Sequence, residues 1–160
     1  MPSEDLRRLQ TMETLVWLRV GDIASAQHCL DSATSSTDAN DQEGKLLEGL
    51  IAIANGEYQD AVAKMQALHE QHPDDALVTQ NLAVCLVYTG QLPESQALLE
   101  KLVDGEGVSR SVTFNLATLY ELSTERARDL KGELAGKMAR REPERGEGRV
   151  WEKSGADFKL

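Results

Sequence analysis

The side chains of this chain that could do chemistry are two histidines and two cysteines. His69 and His72, in the stretch HEQH, lie one helical turn apart, a spacing that could give a metal ion two ligands. The sequence identifies no carboxylate or cysteine that completes such a site. Both histidines precede Pro73, in the last turn of a predicted helix, where a cation interacts favourably with helix carbonyls. We therefore expect them to be structural, and a metal-dependent enzyme that uses them is the rival interpretation.

Neither cysteine stands in a recognisable nucleophile motif. Cys29 and Cys85 lie within apolar helical patterns, so we expect packed thiols in a reducing, cytoplasmic setting rather than a disulfide or a catalytic group. No glycine-rich phosphate loop follows a predicted strand. The sequence therefore predicts no catalytic residue, no cofactor, no metal and no small-molecule substrate.

Charge and hydropathy argue against two further classes of partner. The formal net charge of -10 repels phosphate backbones, so we expect no nucleic acid. No run of eighteen apolar residues occurs, so we expect no direct insertion into a membrane. Apolar residues make up 41% of the chain and aromatic residues only 4%, a composition that favours close-packed helices. Other proteins are the expected partners.

The elements that position these residues repeat at an interval of 34 residues. NLAVCLVYTG at residues 81–90 returns as NLATLYELST at residues 115–124. Gly56 and Gly90 are also 34 residues apart, and Gly21 lies 35 residues before Gly56. Each of these glycines separates two apolar helical stretches. We expect each to adopt the left-handed conformation that ends one helix and turns the chain into the next.

Units of this length, with small residues where their helices cross, are typical of tetratricopeptide repeats. Ala26, Ala61 and Ser95 each follow one of these glycines by five residues. The predicted fold is all-α, a right-handed α-solenoid of about three and a half tetratricopeptide repeats with a C-terminal capping helix. The predicted units lie near 3–34, 42–73, 75–107 and 109–141, and the predicted helices at 3–20, 22–34, 42–55, 57–71, 75–89, 92–103, 109–122 and 124–141. Residues 1–141 would form the repeat domain, and residues 142–160 a flexible linker and an apolar-containing tail.

A groove lined by the first helix of each unit is the predicted partner-binding surface. A helical projection assigns nine side chains to it: Leu46, Leu50, Ile53, Val84, Val87, Tyr88, Phe114, Thr118 and Glu121. Because the groove has no basic cluster for a terminal carboxylate, an amphipathic helix or an extended apolar segment is the expected ligand. The tail offers a second candidate surface, which would either dock on a partner or fold back on the stack: Val150, Trp151, Phe158 and Leu160.

Two stretches resemble the trafficking protein particle complex subunit 12 family. Its Asn-Ala-Ala-Val-Cys-Leu-Leu-Tyr run is similar to residues 81–88, and its Ser-Val-x-Phe-Asn-Leu-x-Thr-x-Tyr-Glu-Leu stretch is similar to residues 111–122. Phe158, Lys159 and Leu160 are similar to the end of the family's sequence, where a Phe precedes a terminal Lys-Leu.

The resemblance implies the C-terminal repeat region of a non-catalytic subunit of the trafficking protein particle (TRAPP) complex. That complex tethers membranes and activates a Rab-type GTPase in transport from the endoplasmic reticulum to the Golgi and in autophagy. It implies other subunits of that complex as partners. It also implies a cytoplasmic location, with peripheral association to endoplasmic reticulum and Golgi membranes. The alternative within the same class is a tetratricopeptide adaptor of an unrelated assembly.

Overall fold

The structure, a computed structural model, describes residues 4–33, 42–105 and 108–141. These residues form eight α-helices, whose bounds agree with the predicted ones within one residue except at the start of the last helix. In chain order they are α1 (Glu4–Val20), α2 (Ile23–Ala33), α3 (Gln42–Ala54), α4 (Tyr58–Gln71), α5 (Ala76–Tyr88), α6 (Leu92–Asp104), α7 (Arg110–Ser123) and α8 (Ala127–Arg140). The predicted linker and tail, residues 142–160, lie outside the described residues.

The helices pair in sequence, and three of the four pairs are joined at a glycine with positive φ. Gly21, Gly56 and Gly90 have φ values of +87°, +75° and +80°, as their positions in the sequence predict. After each glycine the next amide bonds back to the preceding helix; Gln91 N–H, for example, donates to the Leu86 carbonyl at 2.8 Å. We call α1, α3, α5 and α7 the first helices and their partners α2, α4, α6 and α8 the second helices.

The fourth pair lacks a glycine, and its turn differs accordingly. Thr124 has an extended backbone (φ -153°), and its hydroxyl accepts the N–H of Arg126 at 3.2 Å. As a result α8 begins at Ala127, three residues later than predicted. Because this pair has no glycine between its helices, its turn is longer and extended, whereas the other three pairs have a tight left-handed turn.

Small residues lie where the two helices of a unit cross. Ala26, Ala61 and Ser95 are fully buried. The Ser95 hydroxyl donates to the Ala83 carbonyl at 2.7 Å, which ties α6 to α5 in a position where a larger side chain would hold the helices apart. In the unit before, Gly49 faces Met65 so closely that an added Cβ would lie 2.5 Å from the methionine Cε.

The core runs through the stack because each second helix also packs on the first helix of the next unit. Val62, Met65 and Leu68 of α4 form one buried cluster with Val78 and Cys85 of α5. The Asp75 carboxylate caps α5 by accepting from the amides of residues 77 and 78 at 2.9 and 3.1 Å. Short helices gain most of their stability from such packing between units. The predicted all-α solenoid is confirmed.

The last helix closes the C-terminal end of the stack. Leu130, Leu134 and Met138 pack against the core cluster of α6 and α7, as the apolar face of a capping helix should. Arg141 then donates to the backbone carbonyls of Val103 and Gly105, at the C-terminal end of α6. A cation at this end complements the helix dipole.

Candidate protein-binding groove

Two pairs of successive first helices are in contact with each other. α1 contacts α3, and α5 contacts α7, whereas the second helices of successive units make no comparable contact among the described residues. A repeat stack curves toward the side on which successive helices lie closer, which for these two pairs is the side of the first helices. Side-chain bonds hold the first helices in register. Ser111 Oγ donates to Gln80 Oε1 at 3.1 Å, and Gln42 Nε2 donates to Asp75 Oδ2 at 3.0 Å.

The nine groove residues predicted from sequence differ widely in how accessible they are. Tyr88 and Phe114 are exposed at 62% and 43%, and Val84 and Thr118 are half-buried. The side chains of α3 are drawn into the protein, since Leu46, Leu50 and Ile53 all pack against the core. Likewise Val87 packs against the core cluster of the last two units, and Glu121 forms an ion pair with Lys131 of α8. The accessible apolar part of the groove therefore lies on α5 and α7.

The projection omitted exposed apolar residues that lie on the same helix faces. Leu77 is exposed at 56% and Leu122 at 61%. Leu122 follows Tyr88 by 34 residues, so the repeat register places the two at equivalent positions on neighbouring helices. The same register could have identified Leu15 of α1, which is exposed at 42% and equivalent to Leu50. The repeat spacing was the signal that could have identified Leu15 and Leu122.

A ring stack fixes one end of the accessible groove. The rings of Tyr58, at the start of α4, and Tyr88, at the end of α5, lie 4.3 Å apart at their centroids and are parallel within 3°. Tyr88 keeps 62% of its surface exposed while its ring is held by this contact. A rigid, exposed aromatic side chain loses little conformational entropy when a partner covers it.

The groove is also nearly uncharged. α5, with the sequence ALVTQNLAVCLVY, has no acidic or basic side chain. Its Asn81 donates to the Leu77 carbonyl of its own helix at 2.9 Å. A surface of this kind binds apolar side chains and offers no cation for a carboxylate terminus.

His69 and Cys85, two of the residues that could do chemistry, contact neighbouring parts of the stack. His69 Nδ1 lies 3.0 Å from Thr79 Oγ1, which joins α4 to α5 across the unit boundary. In the described parts of the chain no group of three His, Cys, Asp or Glu side chains could hold a metal ion. Cys85 is fully buried, and burial raises the pKa of its thiol to about 11, so the nucleophilic thiolate is scarce at neutral pH. Both cysteines are free thiols.

Comparison with known proteins agrees with this architecture. A tetratricopeptide repeat family model matches residues 52–107. The chain is an all-α solenoid, and residues 52–107 of it are similar to tetratricopeptide repeats. It is similar to trafficking protein particle complex subunit 12 of Mus musculus, with 28% identity over 135 residues, which are 79% of this chain and 17% of the relative. The subunit of the same name from Homo sapiens is 29% identical over 133 residues, which are 78% of this chain and 18% of the relative.

These matches confirm the resemblance to the trafficking protein particle complex subunit 12 family. The repeat solenoid spans less than a fifth of the length of the curated relatives. None of its described helices is both long and apolar enough to cross a membrane. The four tail residues predicted as a second surface, from Val150 to Leu160, lie outside the described residues.

Proposed function

We propose that this repeat solenoid is a non-catalytic scaffold whose groove binds an apolar segment of a partner protein. The observation that carries the proposal is the uncharged α5, which presents Leu77 and Tyr88 beside Phe114 and Leu122 of α7. Exposed apolar side chains clustered on one face of a protein mark interaction sites. Tyrosine and phenylalanine are among the residues that contribute most to binding when a partner covers them.

The segment that fits this groove is an amphipathic helix or an extended chain with apolar side chains. Both fit because the groove supplies apolar contacts and few charged groups. The amide and hydroxyl groups of Gln80 and Ser111 bond to each other at the groove's edge. They can also accept or donate bonds to a partner's polar backbone groups. Recognition would then depend on shape and apolar area rather than on charge.

The partners we propose are other subunits of a trafficking protein particle complex. Support comes from the names of the two relatives, both subunits of such a complex, and from the 78–79% of this chain that their similarity covers. Membrane tethering, activation of a Rab-type GTPase, transport from the endoplasmic reticulum to the Golgi and autophagy would then be activities of the assembly. The chain would be cytoplasmic and would reach the membrane through that assembly.

Capture of purified trafficking protein particle complex subunits on immobilised chain tests the proposal. The double variant Tyr88→Lys/Phe114→Lys should reduce capture at least tenfold, because two charges would be buried against an apolar partner segment. Its helical circular dichroism should stay at the level of the parent, because both side chains are exposed. The control Gln66→Lys/Ala97→Lys adds the same two charges to exposed positions of the second helices α4 and α6.

The control should capture as the parent does. Capture by the groove variant at the parent's level would refute the groove as the binding surface. If neither parent nor control captures these subunits, the partner assignment fails, and the adaptor of an unrelated assembly becomes the better interpretation.

A further inference from the structure

The groove holds all the large apolar side chains that are exposed on the described helices after α1. They are Leu77 and Tyr88 of α5 and Phe114 and Leu122 of α7, with exposed fractions between 43% and 62%. The other exposed large apolar side chains of the described residues lie on α1, at the opposite end of the stack. An apolar segment joined to the C-terminal end of the stack therefore meets the groove before any other apolar surface of the described helices.

A segment of this kind follows α8 in the sequence. Residues 142–160 carry four large apolar side chains among polar ones, the second surface predicted from the sequence: Val150, Trp151, Phe158 and Leu160. Tryptophan and phenylalanine side chains each bury about 150–250 Å² when they are covered. Removing that area from water is favourable wherever an apolar surface can be reached. The question is therefore whether the groove lies within reach of these residues.

The tail leaves the stack close to the groove. The end of α8 lies against the first turn of α7, where Thr113 Oγ1 is 3.7 Å from Met138 Sδ. The same turn carries Phe114 on its groove side, and its Ser111 bonds to Gln80 of α5 at 3.1 Å. The width of one helix, about 10–12 Å with its side chains, therefore separates the end of α8 from the groove.

The chain between α8 and the apolar residues is long enough for this path. Residues 142–150 precede Trp151 and span up to about 30 Å when extended, so Trp151 can reach Phe114. Leu122 lies eight residues further along α7, at a distance of about 12 Å. Phe158 follows Trp151 by seven residues, which span about 10 Å as a helix and about 25 Å when extended. The two aromatic side chains can therefore cover both halves of the groove at once.

We propose that the chain's own tail binds the groove, with Trp151 in the half that contains Phe114 and Phe158 in the half that contains Leu122. A short tether gives the tail an effective concentration in the millimolar range, so contacts that are weak singly are enough to occupy the groove. The tail then competes with the partner segment and lowers its apparent affinity. This competition rests on the proposed function, whereas the contact between tail and groove does not.

Quenching of Trp151 fluorescence by acrylamide tests the contact in the full chain. The emission of Trp17 is removed by subtracting the signal of a Trp151→Phe variant in the same background. We expect a quenching constant several-fold lower than that of a synthetic peptide of residues 142–160, because a covered indole ring meets fewer quencher molecules. The groove variant Tyr88→Lys/Phe114→Lys should raise the quenching constant to the value of the peptide.

A matched control and a variant of the tail separate loss of the contact from damage to the stack. Gln66→Lys/Ala97→Lys adds the same charges to exposed positions of the second helices and should keep the quenching constant of the parent. Phe158→Ser changes no residue of the stack, and it should raise the quenching constant of Trp151 because one of the two anchors is lost. No change with Phe158→Ser would overturn the proposal.

Three other results would also overturn it. In the first, Trp151 of the parent is quenched as strongly as the peptide. In the second, the groove variant protects Trp151 as well as the parent does, which would place the tail elsewhere on the stack. In the third, the protection falls when the parent is diluted, which would assign the tail to the groove of a second copy of this chain.

Capture of trafficking protein particle complex subunits tests the competition. Removal of residues 142–160 should increase capture several-fold, because the partner no longer has to displace the tail. Equal capture with and without the tail would overturn the competition. If neither chain captures these subunits, the proposed function fails and the quenching result still stands. An unprotected Trp151 would conversely leave the proposed function intact.

Discussion

Gly49 and Met65 meet where α3 and α4 cross, and the next unit has a natural variant of the same pair. Gly49 is equivalent to Ala83 in the next unit, and Met65 is equivalent to Leu99. An alanine is therefore accepted at this crossing when a leucine faces it. At residue 49 the added Cβ would meet the Met65 side chain at 2.5 Å for Cε and 3.3 Å for Sδ. Met65 is fully buried, so its side chain has little free space into which it could move.

Two opposing contributions determine how Gly49→Ala changes the unfolding free energy. Alanine favours the helix over glycine by about 1 kcal/mol. Overfilling a close-packed site costs about 1–3 kcal/mol. The single substitution should therefore lower the unfolding free energy by about 0–2 kcal/mol. In a Met65→Leu background the clash is relieved, and the same substitution should raise the unfolding free energy by about 1 kcal/mol.

A double-mutant cycle measured by urea unfolding tests this reasoning. The parent, Gly49→Ala, Met65→Leu and the double variant should give a coupling free energy of about 1–3 kcal/mol, equal to the overfilling cost. Met65→Leu alone should cost less than about 1.5 kcal/mol, because it nearly conserves volume. A coupling below about 0.5 kcal/mol would mean that the two residues do not meet as the structure places them.

Two further predictions concern the α5 helix. Asp75→Ala removes the acceptor of two backbone amides and should lower the unfolding free energy by about 1–2 kcal/mol. Asp75→Asn keeps an oxygen acceptor, so it should lower the unfolding free energy by less. Equal decreases for the two variants in urea unfolding would contradict the capping role. The pKa of the Cys85 thiol is about 11 in the folded protein and about 8.5 in an unfolded chain. Between these two pH values the thiol is protonated in the folded state and ionised in the unfolded state. The contribution of the protonated thiol to the unfolding free energy should be fully present below pH 8 and should decrease by about 2–3 kcal/mol by pH 11. The unfolding free energy of Cys85→Ala should decrease less over the same pH range.

The fold could be predicted because its boundaries depend on local signals. Three glycines adopt the positive φ that glycine tolerates best at the end of a helix: Gly21, Gly56 and Gly90. Pro73 prevents α4 from continuing. The start of α8 was predicted three residues too early, because residues 123–126 carry no glycine and the length of an extended turn depends on how α8 packs. The presence of a capping helix could still be predicted, because such a helix has one apolar and one polar face.

The groove was harder to predict, because exposure depends on how closely neighbouring helices approach. A helical projection assigns Leu46 and Phe114 to equivalent positions, yet Leu46 packs against the core and Phe114 is exposed at 43%. α5 adds a second difficulty. It is apolar on all sides, so its periodicity does not distinguish the core face from the groove face, and Leu77 was missed. The pairing of helices in space supplies that distinction, and the sequence of a single helix does not contain it.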